Sequence, residues 1–343
     1  MKLRTIGIDL AKNVFQVCGV NEHMKQQFNK RLRRNELLDF MRQQEPTLVV
    51  MEACYSSHYW GREIAKLGHD TRLIPAQHVT PFVMGNKNDP NDSFAITEAS
   101  QRPHIRFVPI KTEQQQEISC LHRIRERLSK NKVALSNQSR GLLSEFGVVF
   151  PCGHKALVNG LTSIIDNPQH SHRIQNMVID MLSEYETTVD RLKGIEKQLA
   201  QFVDESESGK ILLSIPGIGV INASAFLAAI DKGQAFNNPR ELAVWLGLTP
   251  KQHASGNMSK MGGITKRGDR YLRKQLIHGA RALVSRAPKS SDPLSLWAMK
   301  LRVTKPFNKV AVAVAHRLAR LIWILLTRQE RYRAEPASLE VSA

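Results

Sequence analysis

Apolar positions in the first part of the chain come in short runs, not in helical stripes. Thr5 to Leu10 and Asn13 to Val20 read as two strands joined by the brief Ala11-Lys12 connection, since short apolar runs between polar residues fit strands of a sheet. A third, more polar strand is predicted near Met24 to Asn29, then a helix over Asn35 to Gln43 carrying Leu37, Leu38, Phe40 and Met41. Leu48 to Met51 is a continuous apolar run, as in a strand buried on both faces. Ser56 to Leu67 reads as a helix and Thr71 to Pro75 as a strand. In Lys87-Asn88-Asp89-Pro90-Asn91-Asp92 the spacing predicts a helix start, with Asp89 at the N-cap, Pro90 at the first helical position and Asp92 in the first turn.

The pattern then changes period. Leu121, Leu128, Leu135 and Leu142 recur every seven residues, with Ile124, Asn131 and Gln138 at an offset of three. A second run places Val178, Met181, Tyr185, Thr188, Leu192, Ile195, Leu199 and Phe202 at steps of three and four. Two long helices follow, paired as a coiled coil within or between chains or packed as an ordinary bundle. Pro151 to His172 reads as the connector, and its His170 and His172 as loop residues. Further on, Leu213-Ser214-Ile215-Pro216-Gly217-Ile218-Gly219 leads into an Ala-rich helix, Ile221 to Ile230. This is a helix-hairpin-helix pattern, whose glycines at Gly217 and Gly219 would let backbone amides approach a phosphate; a tight helix-helix turn is the alternative.

Charge adds a partner to this picture. The 343 residues carry a formal net charge of +18, which points to a polyanion, nucleic acid in preference to a membrane surface. From residue 251 onward there are 19 Lys or Arg against 5 Asp or Glu, too local an excess for a merely solvated face. Cys18, Cys54, Cys120 and Cys152 are scattered without zinc-ligand spacing, as expected of a reduced cytosol. The chain enters its first strand without a signal-peptide stretch. Val310 to Leu326, the most apolar segment, is interrupted by His316, Arg317 and Arg320 and reads as too short and too charged to span a bilayer. A cytoplasmic, nucleoid-associated protein is expected.

Three strands, helix, strand, helix, strand, helix is the order of the α/β ribonuclease-H-like (RuvC-like) fold. Asp9 ends Ile6-Gly7-Ile8-Asp9 and Glu52 ends Leu48-Val49-Val50-Met51-Glu52. A charge there gains nothing from burial. With Asp89 and Asp92 they make four acids from two strand ends and one helix start. Such a set suits divalent metal, because phosphodiester cleavage must stabilise charge on both the attacking and the leaving oxygen. Taken singly, Asp9 reads equally as a turn acid and Glu52 as an exposed strand end. Lys12 and Lys87 stand nearby in sequence, to contact phosphate or to balance charge. Tyr55 and His58 read as local packing. Downstream, Lys251-Gln252-His253-Ala254-Ser255-Gly256 and Gly262 to Arg273 read as a flexible basic phosphate-binding loop before a helix, with Lys251, Lys266, Arg267, Arg270 and Arg273 as nucleic-acid contacts. Nothing local identifies Ser255 as a nucleophile.

Taken together, Gly7-Ile8-Asp9-Leu10-Ala11-Lys12, Met51-Glu52-Ala53-Cys54, Lys87-Asn88-Asp89-Pro90-Asn91-Asp92, Pro216-Gly217-Ile218-Gly219, Leu246-Gly247-Leu248-Thr249-Pro250, Ser255-Gly256 and Ile264-Thr265-Lys266-Arg267-Gly268-Asp269 resemble the bacterial insertion-sequence transposases with a DEDD, RuvC-like catalytic domain. That group includes the Piv-type DNA invertases and the bridge-RNA-guided recombinases. Asn88, Asn91 and Ser93 depart from the family's third motif while both acids stay, and Ala254 replaces a frequent second serine. The resemblance implies that Asp9, Glu52, Asp89 and Asp92 bind magnesium, two ions per site. It further implies that Ser255 attacks the DNA phosphate, that chains assemble as a dimer of dimers, and that a structured bridge RNA pairs with donor and target DNA. The expected organisation is a catalytic domain over 1–110, assembly helices over 111–208, a C-terminal serine domain over 209–328 and a disordered tail over 329–343. A junction endonuclease acting by hydrolysis and a non-catalytic nucleic-acid-binding protein are the alternatives.

Overall fold

The computed structural model describes residues 3–84, 88–255 and 258–334, with Ser255, Met258 and Ser259 described by backbone alone. The chain forms two compact units, 1–114 and 115–343.

The first unit is a five-stranded mixed sheet. β1 (Thr5–Leu10), β2 (Val14–Val20) and β3 (Gln26–Arg33) form an antiparallel meander. After α1 (Leu37–Arg42) come β4 (Leu48–Glu52), α2 (Ser57–Lys66) and β5 (Asp70–Ile74), with β4 parallel to both β1 and β5. The sheet order is β3-β2-β1-β4-β5. The short α3 (Ala76–Val79) and a 3-10 turn lead to α4 (Asp89–Ser100). This is consistent with the expected ribonuclease-H-like order.

Two details differ from the sequence reading. The third strand begins later and runs further, because the Asn21 side chain accepts the His23 and Lys25 amides and holds the turn open as far as Lys25. The first helical residue of α4 is Asp89, not Pro90: Asn88 is the N-cap, its side chain accepting the Asn91 amide at 2.9 Å. Asn88 takes the capping role and Asp89 is spared it.

Strand alternation sends successive side chains to opposite faces. Ile6, Ile8, Val49 and Met51 share a core with Leu37 and Met41 of α1 and Trp60 and Ile64 of α2. On the other face Val50 packs with Ala95, Ile96 and Ala99 of α4. Gly7 belongs to that face. A Cβ there would lie 2.6 Å from the Ser93 carbonyl oxygen and 2.6 Å from the Thr97 methyl, so α4 lies directly on the β1 backbone. Gln101 donates to the Thr5 hydroxyl at the far end. α4 therefore runs antiparallel to β1.

The second unit is mainly helical: α5 (Glu113–Ser144, beginning just before the boundary), α6 (His154–Ile165), α7 (His172–Asp204), α8 (Glu207–Leu213), α9 (Val220–Ile230), α10 (Pro239–Trp245), a hairpin of β6 (Pro250–Ser255) and β7 (Met258–Ile264), α11 (Arg270–Arg286), a 3-10 turn, α12 (Pro293–Thr304) and α13 (Phe307–Arg328). Leu128 of α5 clusters with Leu192, Ile195 and Leu199 of α7, and Leu143 with Val178 and Tyr185. The two long helices are thus antiparallel in one chain. Half of the anticipated heptad seam, Ile124, Asn131 and Gln138, is exposed. The connector contains α6, whose Leu157, Leu161 and Ile164 cover the tip of the pair. The basic stretch read as a flexible loop is the β6/β7 hairpin. The tail is described as far as Ala334. Tyr332 ties it down, its amide donating to Ser214 Oγ at 2.8 Å and its hydroxyl to Asp292 at 2.9 Å. Among the described residues α13 alone is long and apolar enough to cross a membrane. Its Val310, Val314, Leu318, Ile322 and Leu326 are instead fully buried in the unit's own core.

His122 pins α5 to that core. Ser224 Oγ donates to the Val220 carbonyl, so it accepts from His122 Nε2 at 3.1 Å, leaving Nδ1 to accept from the Tyr271 hydroxyl at 2.8 Å. Burial, then the nearby Arg125 charge, pushes the imidazole down to about 4.

Two outcomes follow. Gly7→Val should destabilise the protein by about 1–3 kcal/mol, the ordinary cost of overpacking, read as a lower urea midpoint. In the acid range the unfolded His122 takes a proton below about 6.5 while the folded one does so only near 4. Its contribution is therefore complete above pH ~6.5 and lost as pH falls towards 4, by up to about 3 kcal/mol. His122→Gln should flatten that part of the stability-against-pH curve.

Candidate active site

The sheet register brings the strand acids together. One step beyond the last β1/β4 pair, Ile8 with Met51, stand Asp9 and Glu52. Asp9 has the parity of Gly7 and Glu52 that of Val50, so both rise on the face that α4 covers. From Gly7 to Asp9 is about 7 Å of strand, the length of about four to five helical residues. Counting back from Ser93 and Thr97 above Gly7, that step reaches the first turn of α4, where Asp89 and Asp92 sit. Asp89 is exposed; Asp9, Glu52 and Asp92 are half-buried.

Side chains missed in the sequence reading position this end of α4. Gln16 lies opposite Asp9 in the hairpin. It donates to Asn29 Oδ1 at 2.6 Å, Asn29 donates to the Pro90 carbonyl at 3.1 Å, and the Ser93 hydroxyl donates to the same carbonyl at 3.0 Å. A chain of amides thus joins the sheet to the helix start. The signal in the sequence is a single glutamine inside an otherwise apolar strand.

The field of the two strand acids reaches the neighbouring loop. Partial desolvation, then the charges of Glu52 and Asp9, pushes the Cys54 thiol up to about 11, so at neutral pH it carries its proton. The four acids are all carboxylates, the donor chemistry of a hard divalent cation. Among the described residues no three acids, histidines or cysteines stand close enough together to enclose an ion by themselves. Lys12 is exposed in the β1–β2 turn; Lys87 lies outside the described residues.

In the second unit Ser255 forms the last β6/β7 backbone pair, with Met258, at the tip of the hairpin. Lys251, His253 and Lys260 on the same hairpin are exposed. At its base the chain folds back on the end of α10: the Lys266 amide donates to the Gly247 carbonyl, and Gly247 (φ +67°) and Gly268 (φ +90°) leave no room for a Cβ against Arg267 and Trp245. Two motifs distant in sequence are thereby locked together, with Lys266, Arg267 and Arg270 exposed. Arg273 departs from its expected role. It is buried, and its guanidinium donates to the Leu246 and Arg267 carbonyls at 2.9 and 3.3 Å, so it clamps this loop and is not presented to a phosphate. Gly217 (φ +85°) turns the chain against Gly279 of α11, which matches the tight-turn alternative. Gly219 is the N-cap of α9, with no side chain capping the helix.

Comparison with known proteins identifies the family. Residues 6–148 match the model of the DEDD transposases of IS110 elements, and residues 209–294 match that of the transposase IS116/IS110/IS902 family. The chain is 42% identical to the "Probable family 20 transposase" of Pseudomonas aeruginosa, over 97% of this chain and 99% of the relative. It is 38% identical to the transposase for insertion sequence element IS1111A of Coxiella burnetii, over 96% and 92%. Similarity to the pilin gene-inverting protein of Moraxella bovis is confined to 26% of the chain, at 30% identity, so the invertase part of the resemblance is distant. A DEDD domain of this type points to divalent metal use. The chain belongs to the IS110/IS116 family of insertion-sequence transposases, enzymes whose substrate is DNA.

Proposed function

We propose that this transposase cuts and rejoins DNA strands through a covalent phosphoserine at Ser255, with Asp9, Glu52, Asp89 and Asp92 as one acidic centre. The observation that supports the reading is the course of α4, antiparallel on β1, with its N-terminal turn directed toward the end of the sheet that carries Asp9 and Glu52. These four carboxylates would hold magnesium, two ions per site, and such cations stabilise charge on the attacking and leaving oxygens of a phosphodiester. Their open arrangement leaves room for substrate oxygens to complete the ligation.

Ser255 Oγ forms the new bond to phosphorus as a DNA oxygen leaves with its electron pair and takes up a proton, while the serine proton passes to a base. The phosphoserine conserves the phosphodiester energy, so a DNA hydroxyl reverses the step without an outside energy source. Placement at the tip of an exposed hairpin suits a nucleophile delivered to a large substrate. In this reading residues 1–110 are catalytic, 111–208 serve assembly and 209–328 present the serine. The exposed Ile124, Asn131 and Gln138 edge would be the part of the heptad available for a coiled coil between chains, in a dimer of dimers that shares composite sites. Lys12, Lys87, Gly219, Lys251, Lys266, Arg267 and Arg270 would track nucleic-acid backbone. A bridge RNA would choose the donor and target sequences by pairing, as in guided nucleases.

Asp9→Asn and Asp92→Asn should each slow strand cleavage at least about a hundredfold, no less than removal of a metal's supporting group, while salt-sensitive DNA binding persists. Ser255→Ala should abolish both cleavage and the protein–DNA adduct seen on denaturing gels. Full-rate cleavage by Ser255→Ala would instead establish the hydrolytic junction-nuclease reading. Sequencing of RNA copurified with the protein tests guidance: transcripts from DNA beside its own gene support it, and none above background overturns it.

A further inference from the structure

A cavity of about 680 Å³ opens in the first unit away from the acidic face and is lined by Asn13, Arg33, Arg34, Tyr59 and Trp60. Leu38 and Trp60 place it on the α1/α2 side of the sheet. Its wall is nonetheless the β1–β2 turn: the Arg34 amide donates to the Asn13 carbonyl at 2.9 Å and the Arg34 guanidinium to the Lys12 carbonyl at 3.3 Å. The cavity and the acids therefore share one end of the sheet, on either side of the turn that carries Lys12.

Its lining has a recognisable chemistry. Tyr59 is 43% exposed, which leaves part of its ring open to a ligand, and it meets Trp60 edge-on at 5.1 Å. The Arg34 guanidinium lies over the Trp60 ring, 4.9 Å from its centre. Trp60 is 3% exposed, and its indole N–H is buried without a hydrogen-bond partner. Arg33 and Arg34 are exposed. The acid at the rim, Glu36, is engaged on the Arg33 backbone amide at 2.7 Å.

We propose that this cavity binds one unpaired nucleotide of a single strand, its base stacked on Tyr59 and its phosphate held by Arg33 and Arg34. An aromatic face takes any base, and arginines beside it take the backbone, which together make a single-strand subsite. A duplex keeps its bases stacked inside and offers nothing to Tyr59. An acidic peptide would use the arginines but leave the aromatic ring idle. The site deepens the strand-transfer reading: a strand crossing the β1–β2 turn is gripped on one side and presented to the acids on the other.

The test uses the full-length chain with a short fluorescent oligothymidylate, an oligouridylate of equal length and a duplex. Tyr59→Ala should weaken single-strand binding about tenfold, and Tyr59→Phe should restore it, with duplex affinity unchanged in both. Arg33→Ala should weaken it and reduce the salt slope by about one. Photolysis of a 5-iodopyrimidine strand should cross-link to Tyr59. The tighter of the two strands, DNA or RNA, identifies the source of the nucleotide. Unchanged single-strand binding by Tyr59→Ala, an equal loss for the duplex, or displacement of the strand by polyglutamate as readily as by oligonucleotide overturns the site. Asp9→Asn separates the two readings: a variant that still cleaves DNA at full rate sinks the acidic centre, while its Tyr59-dependent strand binding stands or falls independently.

Discussion

The backbone-to-backbone approach of α4 to β1 at Gly7 is the constraint that fixes how this helix lies on the sheet. A helix that packs through side chains is held off the sheet by their bulk. With no Cβ at Gly7, α4 comes closer and its path along the strand becomes definite. The Gln101–Thr5 bond fixes one end of that path and the Asn29 amides fix the other. Direction and register together decide that the first turn of α4, and not a later one, meets the strand end. Position on the sheet thus directs the start of α4 toward a strand end that lies up to 83 positions away in the sequence.

Much of this was legible beforehand, for reasons that can be named. The apolar runs of β1, β2 and β4 are unambiguous because both of their faces are covered. The acids were visible as charges at the ends of such runs. β3 was misplaced because an edge strand carries polar residues that look like loop, and because an asparagine side chain, Asn21, prolongs the turn before it. The hairpin bearing Ser255 was read as a loop for a related reason: glycine, serine and lysine on an exposed ribbon leave no alternation to detect. α6 was hidden among the proline, glycine and histidine residues flanking it.

The roles of individual cations and glycines were less legible than their presence. Arg273 looked like its neighbours in a basic run, yet only the helical turn decides that it points inward, onto two carbonyls left by the fold-back at Gly247. Gly217 suited a phosphate-binding turn equally well as a packed one, and its partner Gly279 lies far along the chain. Asn88 and Asp89 are both good caps, and nothing short of the backbone distinguishes them. In each case composition indicates a kind of interaction, while the partner comes from tertiary contact.

The internal use of cations also changes how the chain's charge should be read as a binding quantity. Arg273 is spent on backbone carbonyls, Arg125 on Glu196, Lys274 on Glu126, and Arg281 and Arg317 lie over aromatic rings. Counterions released on association count the phosphates actually neutralised, not the formal charge of the sequence. For this transposase the two numbers differ, because part of the basic excess holds the C-terminal unit together before any nucleic acid arrives.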